Sequence, residues 1–376
     1  MKQLLLVAGE VSADQHGAAL LKEMHQLNDQ YHVFGIGGEA LAGEGMEVLF
    51  HLKDLAFLGI AEIIRHLPFI RKVKDTLLRE AQVRRPVGAI LIDYPGFNLN
   101  LARALYHLGI PVFYYISPQV WAWGGGRVRK IRRYIHKMIV LFPFEKEYYE
   151  KHGVDVTCVG HPLVDKHHAY LTRTIKQVDP QRVTIGLMPG SRRQEVAALL
   201  PGMMETVRLL FDRNKIRQAE IIKVSHLPMT FYEAIMGPAH PGVTIVEKEL
   251  KDCLPRYDAV MVASGTATLE TGYFGVPMLI VYRVNPLTYH LGKMLIKVPY
   301  IGLVNIVAGK QVAAEFIQND FTPQRAAGYM EKIIQPGENM RLRQELDIIR
   351  KQLGEPGASG RAARVIEALI QGRQSP

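Results

Sequence analysis

Cysteine is almost missing from this chain of 376 residues; only Cys158 and Cys253 occur. Two thiols exclude a disulfide scaffold and a cysteine-based zinc site, and idle thiols are the simplest reading. Long apolar runs are missing as well. No stretch reaches the roughly 20 uninterrupted apolar residues of a membrane-spanning helix. The run Leu4 to Ala8 is too short for a secretory signal and leads straight into Gly9-Glu10, so a cytoplasmic protein is expected. There is no Gly-x-Gly-x-x-Gly, and no dinucleotide cofactor is expected. Acidic residues are the scarcer charge: 36 Asp and Glu against 46 Lys and Arg leave a net charge of +10. That excess points to anionic partners, whether phosphate substrates, nucleic acid or an acidic lipid surface.

What is present is a repeated design. Near mid-chain, β-branched Val183, Thr184 and Ile185 open a buried strand that Pro189-Gly190-Ser191 breaks, and Arg192 to Leu200 opens a helix. Strand, glycine turn and helix form the unit of doubly wound α/β folds, where N–H groups at a helix N-terminus attract an anion. Arg192 and Arg193 would add a fork geometry suited to phosphate oxygens, or would simply face solvent. The same design opens the chain: Lys2 to Ala8, then Gly9 to Asp14, then helical spacing over Gln15 to Leu27. The chain therefore reads as two Rossmann-like halves, an α/β protein with parallel sheets. In the first turn Glu10, Ser12 and Asp14 are candidates for substrate contact, Ser12 and Asp14 equally for helix caps.

The first half continues with strands at Val33–Ile36, Gly88–Ile92, Pro111–Ile116, Met138–Phe142 and Thr157–Val159. The strand Gly88–Ile92 delivers Asp93 at its carboxyl end, where ligands bind in open α/β sheets. Asp93 is placed to be a general base, or to cap the turn Tyr94 to Asn98 that precedes a helix from about Leu99 to Leu108. Ser117 to Gly126 holds both tryptophans, Trp121 and Trp123, on a glycine-rich loop at a strand end, and a basic run follows to Lys137. An aromatic cluster there suits a binding cleft better than a groove reader, and no nucleic-acid motif accompanies the charge. Over residues 55–74, Phe57, Leu58, Ile60, Ile63, Ile64 and Phe69 interleave with basic residues including Lys72 and Lys74, and Pro68 is expected to bend the helix. That is either an amphipathic segment on an anionic membrane surface or a helix with its apolar face in the core. Gly160-His161-Pro162 is expected to be a hinge.

In the second half, strands are expected at Val183–Met188, Glu220–Val224, Val243–Val246, Ala259–Val262 and Pro277–Tyr282. Ser264-Gly265-Thr266 forms a second glycine turn whose N–H groups, with the hydroxyls of Ser264, Thr266 and Thr268, suit another phosphate. Glu270, one turn inside the following helix, suits the two hydroxyls of a ribose. The stretches from Arg283 to Tyr289 and from Gly302 to Gly309, with Asn305, read as irregular and therefore functional. Residues 322–335, 340–352 and 359–371 read as helices, the last two with nothing evident to pack on.

Seven runs together carry a family resemblance. Ala8 to Asp14, Ile92 to Asn98, Ile116-Ser-Pro-Gln-Val-Trp-Ala-Trp123, Pro143-Phe-Glu145, Gly160-His161, Leu187 to Arg192 and Ala263 to Glu270 resemble the lipid-A-disaccharide synthases, in that family's order and over nearly the whole chain. Two positions depart: Ala13 stands where many members carry glycine, and Gly96 where some carry a second aspartate, which leaves Asp93 without that rival. The resemblance implies a GT-B fold, with residues 1–165 as the acceptor and membrane-side domain and 166–337 as the UDP-sugar domain, facing across a cleft. Residues 338–376 would return to an N-terminal domain, of the same chain or of a partner in a homodimer.

It implies an inverting transfer of the diacylglucosaminyl unit of UDP-2,3-diacylglucosamine to the 6-hydroxyl of 2,3-diacylglucosamine 1-phosphate. The products are the β-1,6-linked disaccharide 1-phosphate and UDP; no metal is implied, and no cofactor. The residues implied for UDP are Gly190, Ser191, Arg192, Ser264, Gly265, Thr266, Glu270, Arg283 and Asn305. Asp93 and Arg192 would be catalytic, and the acceptor would meet Glu10, Ser12, Asp14, Asn98, Ser117, Gln119, Trp121 and Trp123. Because both substrates carry acyl chains, the segment 55–74 would lie on the anionic inner membrane, with the protein held there peripherally. The neighbouring readings are another GT-B enzyme, a UDP-N-acetylglucosamine 2-epimerase or a peptidoglycan glycosyltransferase, and more distantly a basic nucleic-acid-binding protein.

Overall fold

A computed structural model describes residues 1–55, 67–121, 126–171, 176–237, 241–284 and 299–372. The chain divides into two compact units: unit 1 is residues 1–166 with 354–376, and unit 2 is residues 167–353. Each is built on one parallel sheet.

In unit 1 the strands are β1 (Lys2–Ala8), β2 (Tyr31–Gly37), β3 (Glu47–His51), β4 (Gly88–Ile92), β5 (Val112–Tyr115), β6 (Lys137–Val140) and β7 (Val156–Cys158). They lie in the order β3-β2-β1-β4-β5-β6-β7. The central strands are continuous apolar runs, Leu4 to Ala8 and Ala89 to Ile92 being fully buried, because helices cover both faces of a parallel sheet. Strand β3 was not expected. It is an edge strand of half-buried residues, Glu47 to His51, and lacks the apolar run that marks its neighbours.

In unit 2 the strands are β8 (Thr184–Met188), β9 (Gln218–Ile222), β10 (Val243–Val246), β11 (Ala259–Ala263), β12 (Met278–Tyr282) and β13 (Ala314–Ile317), ordered β10-β9-β8-β11-β12-β13. Strand β13 is again a half-buried edge, and it too escaped the sequence pattern. In both sheets the strand order reverses beside the first strand. Ala8 is paired with Ile92 and Met188 with Val262, so the turns after β1 and β4, and those after β8 and β11, open side by side. This is the topological switch point, the crevice where open α/β sheets bind ligands.

The helices correct four expectations. The one after β4 runs from Pro95 to His107; Pro95, with φ preset for the first helical position, starts the helix where a turn was expected. Leu303–Ala308, expected to be irregular, is a short helix. Pro68 lies in the first turn of the helix Leu67–Arg84 and does not bend it, since proline costs nothing where no N–H is needed. The division between the units falls after Lys166 and not at Gly160-His161-Pro162, where a hinge was expected; His161 is buried, and the helix Pro162–His167 follows directly.

The two last helices find different partners. Pro336–Leu353 is tied to unit 2 through the buried Arg343, whose guanidinium donates to the carbonyls of Tyr257 (2.9 Å) and Gly275 (3.1 Å). Ala358–Gly372 packs on the first helix of the chain, Val11–Leu27. Small residues on its inner face, Ala358, Ser359, Ala362 and Ala363, allow the close approach. A methyl group on Gly360 would lie 2.8 Å from Oε2 of Glu23. The Asp165 carboxylate accepts from the N–H groups of Gly357 (2.6 Å), Ala358 and Ser359 (both 3.0 Å), capping this helix from 193 residues away along the chain at Ala358. At the other end Glu367 accepts from the Tyr31 hydroxyl (2.5 Å) and the Asn28 amide (3.2 Å).

Asp165→Ala leaves three helix N–H groups without their acceptor. We expect it to destabilise unit 1 by about 2 kcal/mol, the scale of charged hydrogen bonds, and to raise amide exchange across residues 358–372 before the rest of the unit. Unchanged exchange there would show that the cap holds nothing in place.

Candidate active site

At the switch point of unit 1 the backbone is strained. Asp93 and Tyr94 are consecutive left-handed residues, both with φ of 46° and neither of them glycine; each such residue costs about 1–2 kcal/mol. Their conformation is fixed from three sides. The buried Asn98 amide donates to the carbonyls of Ile92 (3.1 Å) and Asp93 (2.8 Å), and the Tyr114 hydroxyl also donates to the Asp93 carbonyl. Against the Tyr94 ring lies Gly9, where a Cβ would come within 2.5 Å of ring carbons, so only glycine fits after β1. The turn fixes the Asp93 backbone at the end of β4. Burial, and secondarily the charge of Glu10, push its carboxyl up to about 6.

Around Asp93 the expected acceptor residues separate into two groups. Glu10 and Gln119 are exposed, as is Ser12 in the first turn of its helix. The others are engaged in building the site. The Asp14 carboxylate is buried and accepts from the N–H groups of Gly38 (2.6 Å), Ala40 (3.0 Å) and Leu41 (3.3 Å). It caps the turn after β2 and not its own helix. Asn98 sits inside a helix with its amide donated to carbonyls. Ser117 is buried, donating to the Pro118 carbonyl (2.8 Å) and sharing a hydrogen bond with Tyr149 (2.8 Å). These three therefore position backbone and do not face a ligand. Trp121 is half-buried, with its indole N–H 3.3 Å from Oε1 of Glu145 and its ring edge-on to Phe144; Trp123 lies outside the described residues.

Sequence reasoning gave Glu145 no role beyond its place in a family run. It is buried at the start of the helix Pro143–Lys151, and its Oε2 accepts from the N–H groups of Leu141 (3.1 Å) and Phe142 (3.2 Å). Burial pushes its carboxyl up to about 7 against those bonds. The signal available was a glutamate three residues after Phe142, the residue that precedes the helix, the spacing at which a carboxylate reaches back to cap a helix start. His16 and His161 meet edge to face, 6.3 Å between ring centres. Burial, helped by Lys166, lowers His16 to about 4, and burial with His16 lowers His161 to about 3.

In unit 2 the turn after β8 is built around Glu195. Its Oε2 accepts from the N–H groups of Ser191 (3.0 Å) and Arg192 (3.2 Å), and its Oε1 from the Arg192 guanidinium (2.8 Å). The donors of the Gly190–Arg192 turn, expected to be free for an anion, thus already hold a carboxylate. Gly190 is required there: its φ is +116°, and a Cβ would lie 2.6 Å from that carboxylate. Arg192 itself is 67% exposed at its side chain, so most of its donors face solvent. Arg193 points elsewhere, stacked 4.1 Å above the Phe231 ring.

After β11, Gly265 and Thr266 are exposed at the start of the helix Thr266–Tyr273. Ser264 donates its hydroxyl to the Ile301 carbonyl (2.8 Å) and Thr268 to the Gly265 carbonyl (2.8 Å). Neither hydroxyl is left to donate to a phosphate, so Thr266 and the helix N–H groups remain. Glu270, one turn on, is paired with His167 at 2.6 Å. Asn305 is wholly buried, and its amide is spent. It donates to the Ala313 carbonyl and to Glu315, and accepts from Val312 and Ala313. It braces the segment before β13 and cannot contact a ligand. Arg283 donates to the Phe321 carbonyl (2.8 Å) beside that ring.

The segment 55–74 is described only in part. Phe57, Leu58, Ile60, Ile63 and Ile64 lie outside the described residues. Phe69 is half-buried, edge-on to Phe50 and packed on the unit 1 core, which is where the helix Leu67–Arg84 also places Val73, Leu77 and Ala81. Phe69 thus leans on the core, whereas Leu67 is exposed. Lys72 is exposed, and Lys74 is half-buried. Among the described residues no helix is long and apolar enough to cross a membrane.

Comparison with solved structures places the fold. The UDP-N-acetylglucosamine 2-epimerase of Neisseria meningitidis, solved with UDP-N-acetylglucosamine, superposes with a TM-score of 0.65 at 13% identity, covering 99% of this chain and 100% of that one. MurG of Acinetobacter baumannii gives 0.63 at 14%, covering 98% and 99%. The fold is therefore GT-B. In sequence, a lipid-A-disaccharide synthase of Syntrophus aciditrophicus is 42% identical over 376 residues, 98% of each chain, and one of Geobacter metallireducens 40% over 374, covering 98% of this chain and 97% of that one. The family model for lipid-A-disaccharide synthetase matches residues 4–367. With that match and those relatives spanning both sheets and both switch-point turns, the chain belongs to the lipid-A-disaccharide synthetase family.

Proposed function

We propose that this protein transfers the diacylglucosaminyl unit of UDP-2,3-diacylglucosamine to the 6-hydroxyl of 2,3-diacylglucosamine 1-phosphate, with inversion. The observation that carries the reading is Asp93, a carboxyl held on a strained turn at a sheet's switch point with its proton affinity raised toward neutrality. A general base works best when its pKa lies near the operating pH. The acceptor O6–H gives its proton to Asp93, O6 bonds to C1 of the donor sugar, and the C1–oxygen bond to the diphosphate breaks, releasing UDP. His16, held neutral down to about pH 4, is too weak a base to take that part.

The departing diphosphate needs fixed donors. Arg192, with one N–H on Glu195 and its face to solvent, and the N-terminus of the helix Thr266–Tyr273 supply them; Glu270 receives the ribose. A transferase assay with the two acylated substrates tests the whole reading: disaccharide and UDP must appear in equal amounts. UDP-N-acetylglucosamine epimerised instead would overturn it.

The acylated substrates call for a lipid-facing surface. Between the helices Leu67–Arg84 and Pro95–His107 lies a cavity of about 460 Å³, lined by the apolar Leu67, Ile70 and Phe97 and by the cationic Arg71, Lys74 and Arg103. Apolar and cationic side chains side by side suit acyl chains and phosphates. This supports peripheral attachment to the anionic inner membrane, with the apolar residues 57–64 as the inserted part.

Three outcomes follow from these roles. Asp93→Asn keeps the shape but accepts no proton, so UDP binding should persist while kcat falls at least 10³-fold, on the order of a lost general base. In the wild type kcat/KM should rise with pH through about 6 and level off. The raised Asp93 pKa also destabilises the fold above its unfolded value; the Tm advantage of Asp93→Asn should grow from pH 4 to 6 and then stay constant. A pH profile without an inflection near 6 would remove Asp93 from the base role.

Arg192→Ala should lower kcat by roughly 10²–10³-fold, as loss of one oxyanion donor does, while Arg193→Ala stays within a few-fold. Equal losses would mean that neither arginine addresses the leaving group.

Replacing Phe57, Ile60 and Ile63 together by serine should release the protein from vesicles containing anionic lipid and raise KM for bilayer-borne acceptor, with little change in Tm. Wild-type binding should weaken with salt, as screened attraction requires. A large fall in Tm with membrane binding intact would return those residues to a core.

A further inference from the structure

His167 is the first residue of unit 2, at the end of the helix Pro162–His167. Its side chain is 1% exposed, and Nε2 lies 2.6 Å from Oε1 of Glu270. The ring meets Phe274 edge-on. Nδ1 is buried with no partner among the described residues. An N–H at Nδ1 would be a buried donor without an acceptor, a costly arrangement, whereas a bare lone pair is tolerated better. The ring proton therefore belongs on Nε2, which donates it to Glu270. The same geometry fixes the carboxylate: one oxygen is anchored by a buried, immobile ring, and the Glu270 side chain keeps 14% exposure, enough for its remaining acceptor sites to meet a ligand.

Resting on the donor-site reading above, we propose that His167 is a positioning residue for nucleotide recognition, locking the Glu270 carboxylate in the rotamer that accepts the 2′- and 3′-hydroxyls of the UDP ribose. A freely rotating glutamate would have to be ordered on binding; the imidazole orders it beforehand, as an outer hydrogen bond orients a metal ligand. This explains why an apolar site beside Phe274 contains an imidazole where a phenyl ring would pack without an orphaned nitrogen. It also gives the recognition a ribose-specific signature.

The test compares the affinities of UDP and 2′-deoxy-UDP for the full-length protein by calorimetry. The wild type should favour UDP by about tenfold or more, the scale of one hydrogen bond to a charged group. His167→Phe should reduce the preference to within about twofold of unity, lowering the affinity for 2′-deoxy-UDP, which keeps its 3′-hydroxyl, less than that for UDP; His167→Gln, whose amide can still donate, should restore part of it. His167→Phe retaining the wild-type preference, or losing affinity for both nucleotides equally, overturns the proposal. Should His167→Phe not fold, nitrogen-15 spectra of the labelled wild type decide: a proton on Nδ1, or an Nε2 resonance that UDP and 2′-deoxy-UDP shift equally, overturns it, and a proton on Nε2 whose resonance shifts more with UDP than with 2′-deoxy-UDP supports it. Glu270→Ala separates the two levels. If that variant keeps the ribose preference, the assignment of Glu270 itself is wrong; if Glu270→Ala loses the preference and His167→Phe keeps it, only the role of His167 falls.

Discussion

Two parallel strands cannot be joined by a hairpin, and that constraint organises both units. Each connection must cross a face of the sheet with a helix, and right-handed crossovers build outward in one direction from the first strand. To cover both faces, the chain must return to that first strand and build the other way. In unit 1 the return is β4 beside β1, and in unit 2 β11 beside β8. Neighbouring turns there diverge to opposite faces and leave a crevice between them. Every residue given a chemical role above, Asp93, Arg192, Thr266 and Glu270, stands on or one turn beyond those four turns. Chemistry and topology coincide because only there does a parallel sheet expose backbone donors and strand-end side chains together.

The first unit stores strain at this place. Two successive left-handed residues persist only if their surroundings over-determine them. Asn98, Tyr114 and the missing side chain at Gly9 do so, each reaching a different part of the turn. The cost fixes the backbone that carries the carboxyl, and burial raises its proton affinity. Glu10 adds to the effect from the neighbouring turn. A less buried Asp93 would be easier to fold and a poorer base.

Much of the architecture was legible, and what was missed has a common cause. Central strands such as Leu4 to Ala8 and Ala89 to Ile92 declare themselves because both faces are buried and every residue must be apolar. The edge strands Glu47–His51 and Ala314–Ile317 carry no such demand and were not foreseen. Proline misled twice, at Pro68 and Pro95, because a helix start and a turn ask for the same φ. The position of the glycine turns, Asp93 and Glu270 just beyond a strand was readable. The direction of a polar side chain was not. Asp14, Asn98, Ser117, Ser264 and Asn305 looked ligand-facing for the same reason that they are needed inside: short polar side chains satisfy backbone groups that turns leave unpaired.

Carboxylates show how far environment, and not residue type, decides a role. Asp14 receives three N–H bonds, and Asp165 and Glu195 each receive helix N–H groups; all three act as fixed anions that close a helix start. Asp93 is given no such donors at its side chain beyond the adjacent Tyr94 N–H, and burial is left to raise its proton affinity. Glu195 makes the contrast instructive for anion binding in unit 2. Its carboxylate already takes the N–H groups of Ser191 and Arg192, so a diphosphate bound as proposed has only the exposed side of the Arg192 guanidinium in this turn. A phosphate that approaches Arg192 then meets a guanidinium already oriented from one side, with its remaining donors directed outward. In the role proposed for Arg192, a donor held in that way would favour the charge that develops on the leaving group, because little reorientation remains when the bond breaks.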